Sequence, residues 1–164
     1  MIAELISKAL AGPSPEVRAQ LRAAIRAADN YRPYLDIESG VRPLMTSGDV
    51  EAARAALDSL YPGAFLSPTW HRLLTEVAEL QSDPDSARRS AYFHDVALDF
   101  IFADGDGTAE RPWPVQMITD EYDVLRHLRK SSVQQRLVGR DDRRFDVHAC
   151  SDGTELWFEL PPVT

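Results

Sequence analysis

His148 and Cys150 come closest to a nucleophilic pair in this sequence. They lie two residues apart in a segment with the alternation of a strand, so both side chains, together with Asp146, are expected on one face of that strand. A thiolate beside an imidazole is the arrangement that cysteine nucleophiles use. No glycine-rich oxyanion loop or strand-to-helix elbow accompanies the pair. We therefore interpret Cys150 as a small, half-buried structural residue.

A glycine-rich acidic loop, residues 104–110, reads Asp-Gly-Asp-Gly-Thr-Ala-Glu. Aspartates at alternate positions can bind calcium, but an EF-hand loop beginning here would need glycine at its sixth position and glutamate at its twelfth. The sequence has Ala109 and Val115 there. We interpret the loop as a structural turn in which glycines adopt positive φ and Asp106 bonds neighbouring backbone amides.

Carboxylates near this turn, such as Asp106 with Glu121, are candidates for an acid/base pair. The sequence contains no phosphate-binding glycine loop, no Gly-x-Ser-x-Gly elbow and no paired zinc ligands. We predict no catalytic residues, no metal site and no cofactor. The alternative is a small hydrolase or transferase that uses His148, Cys150 or the carboxylates near the Gly-Asp-Gly turn.

The formal net charge of the 164 residues is −8. Residues 83–164 contribute most of it, with 16 acidic and 10 basic side chains against 10 and 8 in residues 1–82. Direct binding of nucleic acid depends on clustered basic residues and is therefore not expected. A basic partner protein is expected instead, because complementary fields speed association.

No stretch approaches the roughly 20 apolar residues that cross a bilayer, and the first six residues lack the pattern of a signal peptide. We expect a cytoplasmic protein without membrane contact. The single cysteine agrees with a reducing compartment.

Apolar residues at helical spacing predict six helices before the glycine turn. Proline or serine and aspartate start signals open most of them. The predicted helices cover residues 2–11, 15 to about 30, 37–45, 49 to about 60, 68–80 and 84 to about 101. Starts spaced 34 and 35 residues apart, near Pro15, Asp49 and Pro84, indicate stacked helical hairpins.

After Gly107 the pattern changes to that of short strands. Val115 and Met117 indicate one strand, and residues 133–138, 145–149 and 156–160 indicate three more. Asp152-Gly153 is a hairpin turn signal between the last two. Between the first and second strands, Thr119 begins a helix with acidic residues in its first turn. Its predicted buried stripe is Tyr122, Leu125 and Leu128.

We therefore predict an α+β fold in one domain, residues 1–164. Helical hairpins (residues 1–103) pack with a small, mainly antiparallel sheet of order β-α-β-β-β (residues 104–164). Trp157 lies off the Leu156 and Phe158 face of the last strand. Either helices cover both faces of the sheet, or Trp157 is exposed among carboxylates, where it would suit a protein-binding hot spot.

Several short motifs in residues 31–160 occur in a fixed order. They are Tyr31-Arg-Pro-Tyr34, Gly48-Asp49, His71, Phe93-His94, Gly105-Asp106-Gly107, Val115, Glu121-Tyr122, Leu125, Gln134-Gln135 with Leu137, Phe145-Asp146-Val147 and Trp157-Phe158. Together they resemble the bacterial domain-of-unknown-function family 4919. The chain departs from that family in closing on Trp-Phe-Glu, where Tyr-Phe-Asn or Tyr-Phe-Asp is usual. The resemblance implies one continuous domain and no established activity.

Taken together, these features favour a non-catalytic, acidic protein-interaction module of the bacterial cytoplasm. Its concrete version is an immunity protein, or antitoxin, that binds and neutralises a basic toxin domain; the sequence indicates no oligomeric state. A third alternative is a scaffold whose helical part binds a peptide. The predicted partner-binding residues are Asp104, Asp106, Asp120, Glu121, Asp123, Glu155, Trp157 and Glu159.

Overall fold

Six helices make up the amino-terminal part of the computed structural model, which describes residues 1–162. They are α1 (Ile2–Ala11), α2 (Pro15–Arg26), α3 (Ile37–Ser47), α4 (Val50–Asp58), α5 (Pro68–Leu80) and α6 (Pro84–Phe102). All six were predicted, although α2 ends four residues before Asn30. Among the described residues, no helix is both long and apolar enough to cross a bilayer.

Four of the predicted start signals act as helix caps, whereas Thr119, predicted to begin the helix after the glycine turn, makes no side-chain cap hydrogen bond. In α2, α4, α5 and α6 the side chain before the first residue accepts a hydrogen bond from the backbone amide three residues further on. The capping residues are Ser14, Asp49, Ser67 and Asp83. Each cap satisfies an amide that has no partner within its own helix, which is why these short polar residues fix where the helices begin.

The helices pack in consecutive pairs, α1 with α2, α3 with α4 and α5 with α6. Helix α5 lies at the centre, because it also contacts α3 and α4 and contributes Leu73 and Val77, both fully buried, to the largest apolar cluster. Phe100 of α6 and Met117, beyond the glycine turn, join the same cluster. The two parts of the chain thus share a core.

The carboxy-terminal part forms a four-stranded sheet with one helix, which confirms the predicted α+β fold and the element order β-α-β-β-β. The first strand is Trp113–Pro114, so the prediction of a strand at Val115 and Met117 is wrong. The elements are β1 (Trp113–Pro114), α7 (Asp120–His127), β2 (Ser132–Arg140), β3 (Arg143–Cys150) and β4 (Glu155–Glu159). The strand order is β1-β4-β3-β2, with β3 antiparallel to both neighbours and β1 parallel to β4. Val163 and Thr164, the last residues of the predicted domain, lie outside the described residues, and the single-domain division stays a prediction.

The two hairpins of the sheet differ in how well the sequence indicates them. Gly153, in the predicted turn between β3 and β4, has φ 85°. The turn between β2 and β3 uses Asp141 and Asp142, with φ values of 51° and 60°. Aspartate tolerates this left-handed region better than most residues. Because it contains no glycine, this turn was not predicted from the sequence.

The sheet presents its larger apolar face to the helices. Phe158 of β4 packs with Leu98 and Ile101 of α6 and with Val124 of α7. On the opposite face, Phe145, Val147 and Trp157 form a small separate cluster. Strand alternation therefore places His148 of β3 on the helix-facing side.

The Gly-Asp-Gly turn is a close-packed structure, as predicted. Asp106 Oδ1 accepts hydrogen bonds from the Thr108 amide at 3.1 Å and from its hydroxyl at 2.7 Å. A Cβ on Gly105 would lie 2.4 Å from the carbonyl oxygen of Pro112. Gly107 has φ 78°, and a Cβ there would lie 2.6 Å from the ring of Trp113. Both glycines are therefore required by geometry.

Replacing Gly105 or Gly107 with alanine is expected to lower the free energy of unfolding by about 1–3 kcal/mol, because each Cβ collides with a neighbour and Gly107 also has positive φ. Urea unfolding measures the effect. Gly139→Ala is the matched control, since nothing lies within 4 Å of a Cβ there. Equal stability of all three variants would contradict this account of the turn.

Candidate functional site

Helix α7 buries its acidic face. Asp120 and Glu121 have no exposed surface, and Asp123 is buried as well. The prediction that these three carboxylates form a partner-binding surface is therefore wrong, because their oxygens point into the protein. The predicted apolar stripe is also wrong at Tyr122, which is 48% exposed.

Asp120 joins α7 to the start of α5. Its Oδ1 accepts a hydrogen bond from the Ser67 hydroxyl at 2.6 Å, and its Oδ2 accepts one from the Met117 amide at 2.9 Å. Burial, partly offset by these hydrogen bonds, raises the pKa of Asp120 to about 8. The carboxyl group is thus held in a place that favours its neutral form.

Asp123 makes a second connection to α5. It accepts hydrogen bonds from the Thr69 hydroxyl and from Arg72 Nε, the latter at 3.1 Å. Arg72 also bonds Glu38 of α3 at 2.7 Å and Glu76 at 3.0 Å. A chain of charged groups therefore runs from α7 across α5 to α3.

Glu121 points the other way, into the sheet. Its Oε2 lies 2.7 Å from His148 Nε2, and neither residue has any exposed surface. The other imidazole nitrogen, Nδ1, lies 2.9 Å from the Ser132 hydroxyl, which belongs to an exposed residue at the start of β2. The rings of Phe158 and Tyr122 pack edge-on against the imidazole. A serine at the surface is thus connected through a buried histidine to a buried carboxylate.

Three more side chains surround this row. The Tyr122 hydroxyl donates to Gln135 Oε1 at 3.0 Å, and Gln135 Nε2 donates to Asp146 Oδ2 at 2.8 Å. The pKa of Glu121 is raised to about 7, mainly by burial and also by repulsion from Asp146. The hydrogen bond from His148 lowers the pKa but does not offset these two effects. We call Glu121, Tyr122, Ser132, Gln135, Asp146 and His148 the α7–sheet network.

One atom of this network lacks a partner. Among the described residues, nothing hydrogen-bonds to Glu121 Oε1, although the atom is buried. Burial of a carboxyl oxygen without a partner favours the neutral form of Glu121, in agreement with its raised pKa.

Among the described residues, the side chains of the candidate pair His148 and Cys150 share no hydrogen bond. Cys150 is buried, and its Sγ lies 4.0 Å from the carbonyl oxygen of His148 rather than near the imidazole. The structural interpretation of Cys150 fits this position. Sequence reasoning missed Ser132, because its proximity to His148 depends on the pairing of β2 with β3, where Ser132 lies opposite Cys150.

Of the predicted residues near the turn, Asp104 is engaged inside the protein and Asp106 is exposed. Asp104 bonds Arg18 at 2.6 Å and Arg22 at 2.5 Å, which ties the end of α6 to α2 and lowers its pKa despite partial burial. Asp106 lies at the surface, where it also approaches Arg111 at 3.5 Å.

Trp157 is 9% exposed, although no helix of residues 1–162 covers its side of the sheet. The guanidinium groups of Arg136 and Arg140 lie over its ring, 5.4 and 5.2 Å from the centroid. Its Nε1 donates to Glu155 at 2.8 Å, and Glu155 also bonds Arg136 at 2.7 Å. Both predicted alternatives for Trp157 are therefore wrong: the tryptophan is covered by arginine side chains.

Glu159 is paired with Arg143, whose Nε lies 2.7 Å from a carboxylate oxygen. Among residues 1–162, no group of three or more histidine, cysteine or acidic side chains has the geometry to bind a metal ion.

The outer strand of the sheet is open. Eight of the nine residues of β2 are exposed, and Val138 is intermediate. Within the described part of the chain, no strand pairs with the outer side of β2. Val133 and Leu137 on this strand are 70% and 62% exposed.

Comparison with family models, curated proteins and solved structures finds no match to this chain. The resemblance to family 4919 therefore stays a prediction. Residues from three of its motifs, Glu121-Tyr122, Gln135 and Asp146, nevertheless meet in the α7–sheet network.

The raised pKa of Asp120 predicts a pH-dependent stability. A carboxyl group whose pKa is near 4 unfolded and about 8 folded stabilises the fold fully below pH 4, and this contribution is lost as pH rises through 8. Asp120→Asn keeps the shape without the charge. Between pH 5 and 7, the unfolding free energy of the wild type should decrease as the pH rises. In Asp120→Asn this decrease should be smaller by up to about 1.4 kcal/mol per pH unit.

Urea unfolding at several pH values measures this slope. Asp29→Asn, at an exposed position, is the control and should keep the wild-type slope. An unchanged slope in Asp120→Asn would show that Asp120 is ionised in the folded protein at these pH values.

Proposed function

We propose that this chain is a protein-interaction module that binds a partner through the free edge of β2. The observation that carries the proposal is a nine-residue outer strand that is almost wholly exposed and has no neighbour on its outer side among residues 1–162. Such an edge offers unpaired amide and carbonyl groups to an added strand. Main-chain hydrogen bonds supply affinity in this type of recognition, and alternate side chains supply specificity.

The exposed aliphatic side chains Val133 and Leu137 on the edge strand support a docking role. Leu137 pairs with Asp146 and Gln135 with His148, so this side of β2 is next to α7 and to the exposed ring of Tyr122. Two large, exposed aliphatic side chains on one edge strand are a liability unless a partner covers them. A partner strand with apolar residues at alternate positions would fit.

Charge gives a second criterion for the partner. The net charge of −8 favours a basic protein, through steering of the encounter rather than through the carboxylates first predicted. Most of those carboxylates are buried or paired, and the edge itself carries Arg136 and Arg140, both held against Trp157. The contact itself would therefore depend on backbone and apolar groups.

The concrete version of the proposal is an immunity protein in the bacterial cytoplasm that neutralises a basic toxin domain. Size, acidity and an open strand edge are consistent with it. A cytoplasmic location and an antitoxin role both belong to this proposal.

The β2 edge can be tested by placing a lysine on it. Val133→Lys and Leu137→Lys should each weaken capture of the partner from the host at least tenfold, because a charge on the edge opposes strand addition. Leu80→Lys, at a 54% exposed position on α5, is the matched control. Tagged proteins are compared by quantitative mass spectrometry after washes at low and high salt.

A single basic protein that is captured by the wild type and the control, lost from both β2 variants and loosened by salt is the expected result. Equal capture by all four proteins would contradict docking at β2. A partner insensitive to salt would contradict the electrostatic part of the proposal.

A further inference from the structure

Ser132, His148 and Glu121 form a row of three groups with the connections of a nucleophile, a base and an orienting carboxylate. The hydroxyl oxygen lies 2.9 Å from Nδ1 of the imidazole, and the carboxylate oxygen lies 2.7 Å from Nε2. Serine hydrolases on unrelated folds also place a hydroxyl and a carboxylate on the two nitrogens of one imidazole, with the hydroxyl on Nε2 and the carboxylate on Nδ1. Here the serine contacts Nδ1 and the carboxylate contacts Nε2.

The three groups differ in burial in the way that a serine nucleophile requires. His148 and Glu121 are fully buried, while Ser132 is exposed. The base and its carboxylate are therefore held in a low-dielectric interior by Phe158 and Tyr122, and the hydroxyl remains open to a substrate. A histidine with only a structural role would need a hydrogen-bond partner at each ring nitrogen, but neither partner would need to be exposed.

The tautomer of His148 decides whether Ser132 is activated. When Glu121 is ionised, its Oε2 accepts the Nε2 proton, so Nδ1 carries a lone pair and accepts the Ser132 hydroxyl proton. When Glu121 is protonated, it donates to Nε2 instead, and Nδ1 carries the proton. Ser132 then accepts from Nδ1 and donates to the carbonyl oxygen of Gln134, which lies 3.3 Å from its Oγ.

The backbone beside Ser132 is irregular. The pairing of β2 with β3 shifts register between Ser132 and Gln134, so Val133 is an extra residue in the strand. Bulges of this kind occur often next to active sites, because they re-aim a side chain or free a backbone amide.

We propose that Ser132 is an activated nucleophile for acyl transfer from esters, with His148 as the general base and Glu121 as the positioning residue. Ser132 Oγ bonds to the acyl carbon while its proton passes to His148 Nδ1; the ester C–O bond breaks, and the alcohol leaves with that proton. Water then attacks the acyl carbon and gives a proton to Nδ1. The bond between Ser132 Oγ and the acyl carbon breaks, Ser132 takes the proton back from Nδ1, and the acid leaves. This chemistry goes beyond the binding role and does not depend on it.

A fluorophosphonate probe tests the nucleophile directly. Ser132 Oγ bonds to phosphorus, fluoride leaves, and the hydroxyl proton passes to His148, so the product is a stable adduct that adds the mass of one probe less HF to the chain. We expect one adduct per chain on Ser132 by peptide mass spectrometry. Ser132→Ala should abolish it, whereas Ser131→Ala, which removes the neighbouring exposed hydroxyl, should leave the rate unchanged.

Glu121→Gln tests the positioning role with a side chain of the same shape. It should slow labelling at least tenfold. It should also remove the rise of the labelling rate near pH 7 that follows from ionisation of Glu121, whose pKa is about 7, because glutamine does not titrate. Asp146 and Tyr122 are the other titratable groups that face this pair, and both remain in the variant.

A release of p-nitrophenol from p-nitrophenyl acetate that depends on Ser132 would extend the result to esters. Absence of an adduct on the wild-type protein, or equal labelling of Ser131 and Ser132, would overturn the proposal. An unchanged rate and pH profile in Glu121→Gln would overturn the role of Glu121.

Discussion

The buried contact between Glu121 and His148 is the interaction on which the carboxy-terminal part depends. Taking an ionisable pair out of water costs several kcal/mol, which is recovered only with short, well-directed hydrogen bonds. Here the contact is 2.7 Å long and closed off by two aromatic rings. It fixes the face that α7 turns to the sheet, so Asp120 and Asp123 of the same helix point toward α5.

A single short helix therefore joins the two parts of the chain. Asp120 and Asp123 bond Ser67 and Thr69 at the start of α5, while Glu121 bonds β3. Helix α7 has only eight residues, too few to be stable alone, so it depends on these contacts. The exposed β2 strand is in turn positioned by β3, which places Ser132 against His148.

Sequence reasoning succeeded where structure is set locally. Ser14, Asp49, Ser67 and Asp83 cap helices because the capped amide lies three residues away, and the pattern is visible in a short window. The fold class followed from the change of period after Gly107. Neither required knowledge of which elements touch.

It failed where partners lie far apart in the chain. Acidic residues in the first turn of a helix usually face water, which predicted an exposed acidic surface on α7. Their buried partners Ser67, Thr69 and His148 lie 27 to 54 residues away. Trp157 shows the same limit, since its cover comes from arginines of β2, which lies two strands away in the sheet and whose register the sequence does not define.

The central claim, that Glu121 and His148 stabilise the fold as a pair, is tested most directly by a double-mutant cycle in urea at neutral pH. Glu121→Met and His148→Phe each leave one buried polar group without its partner, while the double variant leaves an apolar contact. The account predicts a cost of about 3–5 kcal/mol for each single variant and a double variant less destabilised than their sum by at least about 1 kcal/mol. Additive losses, within about 0.5 kcal/mol, would show that the two residues act independently and would contradict the account.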